Sequence, residues 1–136
     1  MYEKKTDIRN DIIGEVHYYQ PWDFTNTTEY TWTGYDRDVE EVVDNDISYI
    51  GEAFSTRGID RTGIPAIIGE FSAENKNNTA DRIKWLTRVI SDAKEWGMVC
   101  FIWDNGDPDI MGFVDRTGDD DPFPDIVEAC VKAATE

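Results

Sequence analysis

Residues 64–71, IPAIIGEF, are the most apolar stretch of the chain, and a single carboxylate, Glu70, stands almost at their end. The run is short, β-branched and bounded by Gly63 and Pro65 on one side and by Ser72 and polar residues on the other, which predicts a buried strand. A carboxylate at the end of such a strand is costly to bury and is placed there for a reason. Two further runs have the same character: DIIGEVHYY at 11–19 and MVCFIWDNG at 98–106.

Helical spacing separates and follows these runs. Val43, Ile47, Ile50 and Phe54 recur one turn apart before Gly58, and Ile83, Leu86, Ile90 and Ala93 form a stripe between Thr79, at the expected N-cap, and Gly97, at the stop. A third pattern begins near PFPD and carries Ile126, Val127, Cys130 and Val131. Strand, helix, strand, helix, strand, helix predicts a parallel α/β sheet built through crossovers, within one domain spanning 1–136. In such sheets ligands meet the carboxyl ends of strands, and here those ends read HYYQPW, GEFSAENKNN and WDNG.

Composition narrows the ligand. With 29 acidic against 13 basic residues the net charge is −16, which disfavours nucleic acid and anionic membranes and suits a neutral ligand. At 40% hydrophobic residues the chain can bury a core. Cys100 and Cys130 are too few for a disulfide or zinc framework and read as buried thiols, and His17 is the one histidine, so neither a metal nor a cofactor is expected. Nothing after Met1 resembles a signal peptide, and no apolar run reaches the length of a membrane span.

Strict alternation puts Glu15, His17 and Tyr19 on one face of the first strand, Ala66, Ile68 and Glu70 on one face of the second, and Phe101 and Trp103 on one face of the third. Where these faces line a common interior, His17, Tyr19, Glu70 and Trp103 converge at its mouth. A carboxylate, an imidazole, a phenol and an indole suit a sugar: the ring stacks on Trp, hydroxyls bond to polar groups, and the carboxylate faces the anomeric carbon.

VHYYQPWDFT, IPAIIGEFSAENKNN and CFIWDNG together resemble the last third of glycoside hydrolase family 5, the cellulase family with a (β/α)8 barrel. The resemblance implies that the chain is a C-terminal portion of that barrel, three parallel strands alternating with three helices in the places of strands 6–8. It implies a parent activity of retaining endo-β-1,4-glucanase with a β-glucan polysaccharide or oligosaccharide as substrate, and an extracellular setting. Residue by residue it makes Glu70 the nucleophile, His17 and Tyr19 the pair that orients it, and Trp103 the floor of the sugar site. Trp22 and Phe24 would extend an aromatic platform, with Asn105 and Asp104 as hydrogen-bonding neighbours.

Two departures stand out. Ser72 replaces a family Gly, and no Asn-Glu dipeptide occurs in the chain, whereas the family's acid/base is the Glu of an Asn-Glu-Pro motif ending the fourth strand. A whole barrel takes about 250 residues. The alternative expectation is therefore a non-catalytic half-barrel that binds glucan or only self-assembles. Three strands alone leave two edges and an apolar face uncovered, which predicts self-association or pairing with an N-terminal half-barrel.

Overall fold

The computed structural model describes residues 12–26, 34–54, 63–114, 116, 118 and 121–136. The expected alternation is present: β1 (Gly14–Tyr18), α1 (Trp22–Thr25), α2 (Arg37–Phe54), β2 (Ala66–Phe71), α3 (Thr79–Glu95), β3 (Val99–Ile102) and α4 (Pro124–Thr135). The three strands form an open sheet in the order β1-β2-β3, and both pairings are parallel. The four-residue α1, in the loop after β1, is the one described element the periodicities did not predict. Gly58, the expected stop of the first helical pattern, lies outside the described residues.

The core formed by the described residues lies on one side of the sheet. Tyr18, Ile68 and Phe71 from the strands meet Val39, Val43 and Ile47 of α2, Trp85, Leu86 and Val89 of α3, and Ile126 and Cys130 of α4. Trp85 is fully buried at the centre, stacked on Tyr18 and tilted against Phe24 and Phe71. Among the described residues the opposite face is bare: Ile13, Val99 and Phe101 keep 65%, 59% and 54% of their surface exposed, the pattern of a sheet face that no described layer covers.

Helix ends follow local chemistry. Helix α3 begins at Thr79 with Asn78 at the N-cap, one residue before the expected cap, and the Asn78 Oδ1 accepts the Lys76 N–H instead of a helix donor. The helix stops where Gly97 takes φ +74°, a left-handed conformation that costs glycine nothing. Cys100 and Cys130 are free, and burial pushes their thiols up to about 12 and about 11, so both are inert packing groups.

An ion cluster ties α2 to α3. Arg88 Nε lies 2.7 Å from Asp44 and 3.2 Å from Asp92, and Arg88 Nη1 lies 3.5 Å from Glu40. Burial raises the Asp92 carboxyl to about 6; Arg88 pulls the other way, and the neighbouring Asp44 adds to the rise. Because the folded value exceeds that of the unfolded chain, ionised Asp92 costs stability above pH 6, and the cost disappears as pH falls towards 4. Asp92→Asn is expected to stabilise the fold by about 1–2 kcal/mol at pH 7 and by about a third of that near pH 4.5. Urea unfolding at the two pH values measures this, and a variant less stable than the wild type at pH 7 would contradict it.

Candidate active site

Glu70 reaches the open face of the sheet through one surplus residue. Val16 of β1 pairs with Ile68, yet the next residue, His17, pairs with Glu70, and β3 meets the same surplus between Ile68 and Phe71. Strand β1 steps over Gly69 and β3 is irregular across the same interval, which makes Gly69 the residue of a β-bulge. Ile68 and Phe71 are both fully buried against the helices, and the extra residue between them turns Glu70 the other way. The expectation that Ala66, Ile68 and Glu70 share a face is thus corrected: Ala66 and Ile68 are buried, whereas Glu70 points to His17 and Tyr19. A Cβ at 69 would overlap the Glu15 carboxylate where it now lies, so any other residue there displaces that side chain.

Two groups hold the Glu70 carboxylate. The Tyr19 hydroxyl donates to Oε2 at 3.1 Å, and His17 Nδ1 lies 3.2 Å from the same oxygen. Both contacts fall on Oε2. Burial, the bond to Glu70 and the charge of Glu70 push the Tyr19 phenol up to about 12, so it is a neutral donor across the physiological range. The far nitrogen of His17, Nε2, lies 3.5 Å from Glu15 Oε1, so four side chains run in series: Glu15, His17, Glu70, Tyr19.

The loops beyond the strands are stitched to one another. Trp103 N–H donates to Phe71 O at 3.0 Å, which carries the β3 end alongside that of β2 and leaves the indole 44% exposed. Glu74 N–H donates to Thr25 O at 2.7 Å, and Thr25 Oγ1 donates to Tyr19 O at 2.5 Å. Asn75 reaches the third loop, its N–H donating to Ile110 O and its Nδ2 to Pro108 O. Arg82, fully buried, donates from Nε to Ala73 O at 3.0 Å and lies 5.1 Å above the Phe123 ring. Burial lowers its guanidinium to about 10 against the opposing pull of Asp104. Sequence periodicity had no signal for Arg82, since a cation on the buried stripe of a helix looks like an exception until its carbonyl and ring partners are seen.

Several expected neighbours have other work. Phe24 is a core residue and not part of a platform: α1 turns it inward, where it is fully buried edge-on to Tyr35 and against Trp85. Trp22, two residues earlier, stays 48% exposed. Asp104 accepts the N–H groups of Gly106, Phe113 and Val114 and pairs with Arg116. Burial works against its charge, but those bonds outweigh it and hold the carboxyl below the usual range, so Asp104 anchors its own loop. Asn105 Oδ1 is likewise taken up by the N–H groups of Asp107 and Met111. Ser72 is buried beneath the site, its hydroxyl without a protein partner among the described residues. Among the described residues no three His, Cys, Asp or Glu side chains are grouped to hold a metal, and no helix is long and apolar enough to cross a membrane.

A profile described as Cellulase (glycosyl hydrolase family 5) matches residues 2–109. The chain belongs to that family. Endoglucanase 1 of Ruminococcus albus is 32% identical over 121 residues, covering 86% of this chain and 28% of that protein. Endoglucanase H of Acetivibrio thermocellus is 35% identical over 105 residues, covering 77% of this chain and 11% of its own length. A GH5 family lichenase from Caldicellulosiruptor sp. F32 superposes with a TM-score of 0.80 at 26% identity, over 98% of this chain and 37% of the lichenase. A GH5-4 broad specificity endoglucanase from Ruminococcus champanellensis, solved with bound cellotriose, superposes at 0.74 and 29% identity, over 87% and 34%. The family 5 chain thus spans less than a third of the length of these two curated relatives and about a third of the solved barrels. Its three strands and their helices are a portion of a (β/α)8 barrel, and the bare face of the sheet is that barrel's interior.

Proposed function

We propose that this chain carries the nucleophile side of a retaining endo-β-1,4-glucanase site. The observation that supports it is the grip of Tyr19 and His17 on a single oxygen of Glu70, on the face that opens into a barrel. A Glu70 carboxylate oxygen attacks the anomeric carbon, the glycosidic C–O bond breaks, and the departing oxygen takes its proton from an acid carried elsewhere in the barrel. Water then attacks the glycosyl ester, giving up a proton to the same residue and freeing Glu70. His17 and Tyr19 fix the carboxylate and share its charge while it is free, and Trp103 offers its exposed ring as the sugar floor. Trp22 extends that surface. The substrate class is a β-1,4-linked glucan: solved neighbours hold cellotriose and cellotetraose.

The chain holds no Asn-Glu dipeptide, so the acid/base partner of the family motif is supplied from outside it. Losing general acid catalysis costs about 10²–10⁴ in rate, and the chain alone is accordingly a glucan-binding unit that associates through its bare face. Mixing it with the N-terminal portion of a family 5 glucanase that carries Asn-Glu-Pro is expected to give a stoichiometric complex that releases reducing sugar from carboxymethylcellulose, where neither part alone does. A folded complex that stays inert would overturn the catalytic assignment. Sedimentation of the chain alone as a monodisperse monomer at micromolar concentration would overturn the association.

A further inference from the structure

Glu15 has no role in the family resemblance, and its place in the fold is specific. Strand β1 puts it two residues before His17 on the same face, with Oε1 3.5 Å from His17 Nε2. Its carboxylate lies over Gly69, in the space a Cβ would otherwise fill. Gly69 therefore does two things at once: as the bulge residue it turns Glu70 towards the imidazole, and as a glycine it seats the second carboxylate on the imidazole's other side. The ring is bracketed, with Nδ1 3.2 Å from Glu70 and Nε2 3.5 Å from Glu15.

We propose that Glu15 is a positioning residue that holds the His17 ring, and through it Glu70. A neutral imidazole has one N–H and one lone pair. Between two carboxylates, the lone-pair nitrogen faces an oxygen lone pair, whereas a ring protonated on both nitrogens donates at each end. Glu15, 3.5 Å from Nε2, fixes the ring plane and keeps Nδ1 facing Glu70. The inference deepens the proposed function, because it takes the His17–Glu70 contact as part of the nucleophile's support. Among the described residues the ionisable groups touching the ring are Glu15 of β1 and Glu70 of β2, with Tyr19 reaching it through Glu70.

His17 is the single histidine, so its ring signals in a nitrogen-15 or carbon-13 NMR titration are unambiguous. The full chain is titrated as wild type, Glu15→Gln and Glu15→Asp, with Glu52→Gln on α2 as a control for loss of one charge from an acidic protein. Coulomb attraction at this separation near a surface predicts that Glu15→Gln lowers the His17 midpoint by about 0.5–1 pH unit. Glu15→Asp, which keeps the charge at a shorter reach, falls between Gln and wild type, and Glu52→Gln moves it by less than about 0.2 unit. A Gln midpoint equal to that of the wild type, or a control that moves as far, overturns the proposal. Should Glu15→Gln lose its dispersed spectrum, Glu15→Asp decides alone: a midpoint unchanged from wild type counts against the bracket, and a lowered one supports it. The titration contains no sugar, so an inert barrel with an intact midpoint shift counts against the nucleophile reading and leaves this inference standing.

Discussion

Glu70→Gln in the reconstituted barrel is expected to lower glucan hydrolysis by about 10³–10⁶-fold while cellotetraose affinity stays within about threefold. Gln has nearly the shape of Glu and still offers a carbonyl oxygen to the Tyr19 hydroxyl, so the pocket is kept and only the nucleophile is lost. A group that bound sugar without reacting would show the reverse, a weakened affinity with turnover preserved. The covalent step has its own readout. An activated 2-deoxy-2-fluoro-cellobioside, whose glycosyl ester hydrolyses slowly, should leave its mass on the peptide containing Glu70 in the wild type and on no peptide in the variant. An adduct on another carboxylate, or a Gln variant with more than about a tenth of the activity, would defeat the assignment.

The sequence carried the ends of the strands more clearly than the path between them. His17 of β1 and Tyr19, the residue just past its end, both reach Glu70 Oε2, as simple alternation along the first strand expects. Glu70 is different: alternation from Ile68 points it into the helices, and only the unpaired Gly69 restores it to the site. A glycine inside an apolar strand is the available hint of a bulge. Phe24 was misread because aromatic residues in a strand-end loop look alike in one dimension, and the four-residue turn of α1 sends Trp22 out and Phe24 in. Asp104 and Asn105 sit in WDNGDP, turn chemistry in which short polar side chains bond to their own backbone, and the structure uses both in that way. The Glu15 contact was legible only in part, as a shared face with His17; its seat over Gly69 depends on a register between strands that no single strand encodes.

Trp85→Ala is expected to cost about 3–5 kcal/mol, a large share of the stability of any small domain. Trp85 is fully buried, its ring parallel to that of Tyr18 at 5.9 Å and inclined to those of Phe24 and Phe71 at 6.4 and 6.1 Å. Truncation removes the side chain that fills the space between α3, the sheet and α1, and rigid elements close over such a void only in part. Its Nε1–H also donates to Gln20 O at 3.1 Å, leaving that carbonyl unpaired on removal. Gln20 follows Tyr19 directly, so the damage reaches the site: a loosened Gln20 frees the backbone that aims the Tyr19 hydroxyl at Glu70. Trp85→Phe separates the two parts, because it keeps most of the ring and loses the N–H, for a cost of about 1–3 kcal/mol. Urea unfolding of the full chain should show the midpoint falling further for Ala than for Phe with the slope unchanged. Equal midpoints for Ala and wild type would mean that the aromatic cluster is not what joins α3 to the sheet.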